Sequence, residues 1–138
     1  MSSPLRWSLA YLAALAVFVA GDMTWLTLTG PGLYRPVLGP MLADKPDVPT
    51  AVAFYLLYLL GVAVFAIAPG LKAGRALAAL WRGALFGLIA YGVYDLTNQA
   101  TLKVWSTRLS IADMSWGAVI TGIAALVGCA TAVKLDKP

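Results

Sequence analysis

Apolar residues fill four long stretches of the chain, and each stretch ends in a short segment of charged residues, glycine or proline. A helix rises about 1.5 Å per residue, so about 20 apolar residues cross the hydrocarbon core of a bilayer. The pattern therefore predicts an all-α integral membrane protein, a compact bundle of four transmembrane helices. We expect the helices at about residues 7–29, 50–68, 73–102 and 111–133 of a single domain spanning residues 1–138.

A long connection separates the first and second predicted helices. Residues 30–49 contain five prolines and three glycines, a composition that rules out one regular helix. Apolar residues nevertheless recur there at helical spacing, which predicts a partly structured loop with a short helix lying in the membrane interface. Pro49 is expected to begin the second helix and Pro69-Gly70 to end it, while 106–110 is expected to form a turn.

The ends of the helices carry the signals for membrane topology. Arg6 precedes an apolar run, as in a signal peptide, but the run is too long and Phe18 disrupts the small-residue cleavage pattern, so we expect a retained helix. Cations near one membrane face outnumber those near the other by six to four, which favours cytoplasmic termini. The two groups are Arg6, Lys72, Arg75, Arg82, Lys134 and Lys137 against Arg35, Lys45, Lys103 and Arg108.

The amino-acid composition limits the kinds of binding site and reaction that this chain could support. The chain is 61% hydrophobic and 12% charged, with a net charge of +4 that we assign to lipid headgroups rather than to nucleic acid. It has no histidine, and its single cysteine, Cys129, lies in an apolar run. A disulfide framework and the usual ligands of zinc and haem are therefore missing, so neither a metal nor a cofactor is expected.

Acidic and aromatic residues from all four helices are predicted at one depth. Counted from the two connections on the side away from the termini, Asp22 and Asp95 lie about 10 Å inside and Asp113 about 3 to 6 Å. Tyr55 and Tyr58 lie about 8 to 12 Å inside on the same count. A carboxylate in a membrane is costly and needs partners, so this layer is the candidate site.

Helical periodicity places these groups on shared faces. Tyr91, Asp95 and Asn98 form one stripe, and the other helices each contribute a pair at i, i+3. Asp22 and Asp95 are the candidate acid and base if any reaction occurs; a network that only fixes helix register is the other interpretation. The predicted ligand-binding residues are Asp22, Trp25, Tyr55, Tyr58, Tyr91, Tyr94, Asp95, Asn98, Asp113 and Trp116.

The same residues carry a resemblance to a known family. The runs 21–26, 54–61, 83–87, 91–98 and 113–117 resemble a family of predicted bacterial membrane proteins, domain of unknown function 2177, over nearly the whole chain. The Tyr-Asp-Leu-Thr-Asn run at 94–98 is its most specific marker, whereas Val93 departs from an expected small polar residue. The resemblance implies an integral protein of the bacterial cytoplasmic membrane and no established activity.

Three functions fit these features. The first is a pocket for a lipid or small lipophilic molecule in the outer half of the bilayer, with acid–base chemistry as an extension. The second is a small transporter or channel protomer for cations or protons, whose pore would form between copies through Gly117, Gly122 and Gly128. The third is a structural accessory subunit. Membrane lipids are partners in each case, and the small-residue surface also suits a homo-oligomer.

Overall fold

A computed structural model of the chain describes residues 3–136, which form helices joined by short connections, with no strand in that range. Lys137, one of the six cations counted above, lies outside the described residues. Four spans, Pro4–Met41, Val48–Lys72, Ala76–Thr101 and Thr107–Lys134, are long and apolar enough to cross a membrane. The expected all-α, four-span architecture is thus confirmed.

The first span does not end where the sequence pattern suggested. Helix α1 (Pro4–Thr29) passes without a break into a π-helical turn at Gly30–Tyr34, then into α2 (Arg35–Leu38) and a 3₁₀ turn at Gly39–Met41. The glycines and prolines therefore change the helix type instead of stopping the helix, and the irregular connection is reduced to residues 42–47. These turns are the structured part of the predicted loop.

The second span also continues past its expected end. Helix α3 (Val48–Val62) is capped by the Asp47 side chain, which accepts from the Thr50 N–H at 3.3 Å. A π-helical turn at Ala63–Ile67 follows, and α4 (Ala68–Lys72) carries Pro69 and Gly70 to the end of the span. The prediction that Pro69-Gly70 terminates the helix was wrong, because the wider π turn precedes a residue that has no N–H to donate.

The fourth span begins earlier than predicted for a similar reason. Helix α6 (Thr107–Lys134) starts directly after Ser106, whose side chain accepts from the Leu109 N–H at 3.0 Å. This N-cap converts the expected turn at 106–110 into the first helical turn. Asp113 consequently lies two turns inside the helix.

Helices α5 (Ala76–Thr101) and α6 pack backbone to backbone along a line of small residues. A Cβ on Gly83 would lie 2.8 Å from the Thr121 carbonyl oxygen, and a Cβ on Gly87 would overlap the Gly117 carbonyl oxygen. We call the line formed by Gly83, Gly87, Gly117 and Gly122 the glycine seam. Such close approach supplies the packing attraction that drives helix association in lipid.

The remaining glycine of α6 faces α1 and the second span. A Cβ on Gly128 would lie 2.9 Å from the Ala10 carbonyl oxygen and 2.7 Å from the Ile67 side chain. All three glycines that the sequence offered for a pore between protomers are therefore buried within one chain. That support for a pore between copies was wrong, because the small residues are used by the chain's own helices.

The described ends of the chain meet at the end of the bundle opposite the candidate site. Arg6 donates from Nε to the Ala132 carbonyl oxygen at 2.8 Å and pairs with Asp136 at 3.0 Å. The guanidinium thus satisfies an open carbonyl in the last turn of α6, where a cation also suits the helix dipole. We call the other end, where residues 30–47 and 102–106 lie, the loop end.

Replacing Gly87 with Ala tests the glycine seam. The added methyl would overlap backbone on α6, so we expect a loss of about 1 to 3 kcal/mol in the free energy of unfolding, seen as a lower melting temperature in detergent. Gly32→Ala is the matched control, because no atom lies within 4 Å of its added Cβ. Equal melting temperatures for the two variants would contradict the seam.

Candidate functional site

A cavity of about 640 Å³ lies near the loop end, between the C-terminal turns of the first span, the start of α3 and the facing parts of α5 and α6. Its wall contains two carboxylates, one guanidinium and four tyrosines together with aliphatic side chains and one phenylalanine. This volume falls within the range of small-molecule pockets. The lining residues are Asp22, Leu26, Gly30, Tyr34, Arg35, Leu38, Leu42, Phe54, Tyr58, Ala90, Tyr91, Tyr94 and Asp113.

Tyr34 links the first span to α6. Its hydroxyl donates to Asp113 Oδ1 in a short hydrogen bond and accepts from the Trp25 Nε1–H at 2.7 Å. The π-helical turn that ends at Tyr34 brings this side chain over the cavity. An uninterrupted α-helix would point the same side chain in a different direction. Tyr34 therefore joins a wall of the cavity to the acidic residue of α6.

Asp22 is held from the second span. Its Oδ2 accepts from the Tyr55 hydroxyl at 2.6 Å, and its carboxylate also interacts electrostatically with Asp113. The Trp116 Nε1–H lies near the same carboxylate but forms no hydrogen bond of normal geometry. Asp22 and Asp113 thus present two carboxylates to the same cavity, each steadied by one tyrosine.

Asp95 lies behind this wall. It is 0% exposed, and neither carboxylate oxygen has a hydrogen-bond donor among the described residues. Its interacting partner across the α5–α6 contact is the Asp113 carboxyl, which is itself 5% exposed. The three aspartates therefore form one acidic cluster, with Asp22 and Asp113 facing the cavity and Asp95 enclosed.

Aromatic packing fixes the cluster's surroundings. The Trp25 and Trp116 rings stack with centroids 4.8 Å apart and planes 3° from parallel. Tyr58 shares a hydrogen bond of 2.8 Å with the Thr121 hydroxyl, and its ring meets Tyr91 edge to face at 6.2 Å. These contacts hold the side chains from all four spans in fixed positions, which a preorganised binding site needs.

The predicted site residues divide into two groups. Five line the cavity, namely Asp22, Tyr58, Tyr91, Tyr94 and Asp113. The others support it or lie beside it: Tyr55 holds Asp22, Trp25 and Trp116 stack, and Asp95 is enclosed. Asn98 is half-buried, and in the described structure its amide forms no hydrogen bond to Asp95. Of the candidate acid and base, only Asp22 reaches the cavity.

From the sequence alone, Tyr34 was given no role in the site. The apolar residues around it were noted only because they recur at helical spacing. The available signal was the length and composition of residues 30–49, since long proline-rich segments are often functional. Arg35, counted above among the cations of one membrane face, lines the cavity. Arg108 instead lines a smaller neighbouring pocket with Trp25.

The fold and the site together define a four-span membrane protein whose inner acidic cluster borders a cavity near one end of the bundle. Residues 7–130 match the family described as predicted membrane protein, domain of unknown function 2177. The chain belongs to this family, as its sequence motifs indicated. No curated protein and no solved structure gives a significant match.

Replacing Tyr34 with Phe tests the hydrogen-bonded link. The change leaves a buried Trp25 N–H and one Asp113 oxygen without a partner, so we expect a loss of about 1 to 3 kcal/mol in the free energy of unfolding. Tyr94→Phe is the control, because Tyr94 lines the same cavity while its contact to Trp105 is through the ring. Thermal unfolding in detergent measures both variants, and equal stabilities would refute the link.

Proposed function

We propose that this protein binds a lipid or a small lipophilic molecule in the cavity near the loop end. The observation that supports this proposal is that carboxylates, tyrosine side chains and apolar side chains line the same cavity. An amphiphile presents the same combination, since its polar group requires hydrogen-bonding partners and its tail requires apolar contact. The interior polar end and the apolar rim would hold the two parts of such a molecule separately.

The rim supports access from the bilayer. Leu26, Leu42 and Phe54 line the cavity and are 43%, 46% and 47% exposed. In a membrane these exposed faces contact lipid tails, so a chain could pass sideways from the bilayer into the cavity. With cytoplasmic termini, as the cation distribution favours, the cavity lies in the outer leaflet of the bacterial cytoplasmic membrane.

Acid–base chemistry on the bound molecule requires a titratable group at the cavity surface. Asp22 and Asp113 meet this requirement, whereas Asp95 is enclosed and would act only through Asp113. Binding needs neither proton transfer nor a further group. We therefore propose binding as the function, with Asp22 and Asp113 as the residues that contact the polar group of the ligand.

Filling the cavity provides the test. Ala90 lines the cavity, so Ala90→Phe would occupy part of its volume, whereas Ala16→Phe adds the same ring on the exposed side of α1. We expect mass spectrometry of the purified proteins to show a retained lipophile in the wild type and in Ala16→Phe. Its occupancy should fall by about tenfold in Ala90→Phe, which corresponds to about 1.4 kcal/mol of binding.

Two outcomes would contradict the proposal. One is equal retention of lipophilic molecules by the two phenylalanine variants, which would place any bound lipid on the outer surface of the bundle. The other is the absence of a retained or added lipophile from wild-type protein purified in mild detergent. Comparable melting temperatures for the two variants would show that the comparison concerns binding and not folding.

A further inference from the structure

The charges around the cavity have an uneven arrangement that bears on the ligand. Two carboxylates, Asp22 and Asp113, lie in its wall with Asp95 enclosed behind them, while one guanidinium, Arg35, lines the cavity and borders the loop residues 39–46. In residues 3–136 the ion pair found is that of Arg6 with Asp136, at the other end of the bundle. The inner carboxylates therefore have no basic side chain to balance them.

Asp95 makes this imbalance acute. It is fully buried, its interacting neighbour is the Asp113 carboxyl, and no basic side chain pairs with it among the described residues. Buried charged groups in proteins are normally paired, because desolvation without a partner costs several kcal/mol. Because Asp95 is enclosed behind the wall, a ligand in the cavity reaches the acidic cluster only through Asp22 and Asp113.

The separation of the acidic side chains bears on which kind of positively charged group could bind between them. No three acidic, histidine or cysteine side chains in residues 3–136 lie close enough together to hold one metal ion. An organic ammonium group is larger and donates several hydrogen bonds in different directions, so it suits separated carboxylates. The aromatic side chains of Tyr58 and Tyr91 also line the cavity, and an aromatic ring attracts a cation that sits over its face.

Arg35 adds the second requirement. Its side chain is exposed and borders both the cavity and a neighbouring pocket formed by residues 39–46. A ligand that carried only positive charge would be repelled by this guanidinium, whereas a phosphate would form charge-assisted hydrogen bonds with it. The wall therefore matches a molecule with its positive group innermost and a negative group nearer the loops.

We infer that the ligand of this cavity is a zwitterionic aminophospholipid, with its ammonium group between Asp22 and Asp113 and its phosphate at Arg35. Its acyl chains would leave over Leu26 and Phe54 into the bilayer, so the cavity needs to enclose only the headgroup and the first carbons. This inference rests on the proposed function and makes it specific. It also assigns the three charged residues of the cavity wall distinct roles in recognition.

The test compares two phospholipids that differ in the headgroup alone. Dioleoyl phosphatidylethanolamine has the phosphate and the ammonium, while dioleoyl phosphatidylglycerol has the phosphate without the amine. Native mass spectrometry of delipidated protein, titrated with each lipid, gives the two dissociation constants. We expect wild-type protein to bind the ethanolamine lipid at least about tenfold more tightly, as loss of a charge-assisted hydrogen bond predicts.

Substitutions separate the two halves of the headgroup. Asp22→Asn and Asp113→Asn should each reduce the preference for the ethanolamine lipid to less than about threefold, and Asp22→Asn retains an oxygen for Tyr55 if the other variant fails to fold. Arg35→Gln should weaken both lipids about equally, because both carry phosphate. Asp44→Asn is the charge-matched control, since Asp44 borders the neighbouring pocket and not the cavity, and it should leave the preference unchanged.

The outcomes distinguish this inference from the proposed function. Equal affinity for both lipids, or tighter binding of the glycerol lipid, overturns the inference that the ligand is zwitterionic. If Ala90→Phe nevertheless prevents the binding of both lipids, the proposed lipid cavity is still supported. A preference that survives both aspartate substitutions also overturns it. Binding of neither lipid, or binding that Ala90→Phe does not alter, overturns the proposed function and this inference together.

Discussion

The close approach of α5 and α6 along the glycine seam is the interaction on which the rest of the structure depends. In lipid there is little hydrophobic drive between helices, so backbone contact through small residues determines how the two helices align. At one end of the seam the Tyr91 ring covers Gly117, and just beyond it Gly92 faces Met114. The next positions along the same contact are Asp95 and Asp113. The register that gives tight packing is therefore also the register that brings two carboxyls together within the membrane.

The first span shows how irregular backbone is tolerated at this depth. Backbone N–H and C=O groups in a membrane must be paired within the protein. The π turn keeps them paired, since the Gly30 N–H reaches the Leu26 carbonyl and the Arg35 N–H reaches the Gly30 carbonyl. What changes is the direction of the side chains, because the wider turn rotates the segment that follows it. Tyr34 and Arg35 consequently face the cavity, and a segment rich in glycine and proline becomes part of a binding wall.

The depths counted from Thr29 and Ile111 used helix ends that the structure places at Met41 and Thr107. The all-α class and the number of spans could be predicted from the sequence, since hydropathy and helical rise determine them directly. The enclosure of Asp95 could not, because periodicity gives the face of a residue but not the neighbour that covers it. The same limit applied to Gly117. Its open surface was predicted to contact another protomer, whereas the Tyr91 ring of the same chain packs against it. The π turns were missed for a different reason: Gly30, Pro31 and Pro69 are ordinary stop signals, and only tertiary packing makes a continuous helix preferable there.

The acidic cluster is difficult to explain as a device that only holds the helices together. Each carboxylate in a membrane costs about 2.5 to 3.5 kcal/mol on insertion scales, and a purely structural network offsets that cost by pairing every member. Here Tyr55 and Tyr34 offset the cost for Asp22 and Asp113, while the neighbour of Asp95 is the Asp113 carboxyl. A leucine at that position would pack against α6 without this penalty. Two of the three carboxylates line a cavity instead of being enclosed among the helices, which a network complete within the chain does not require.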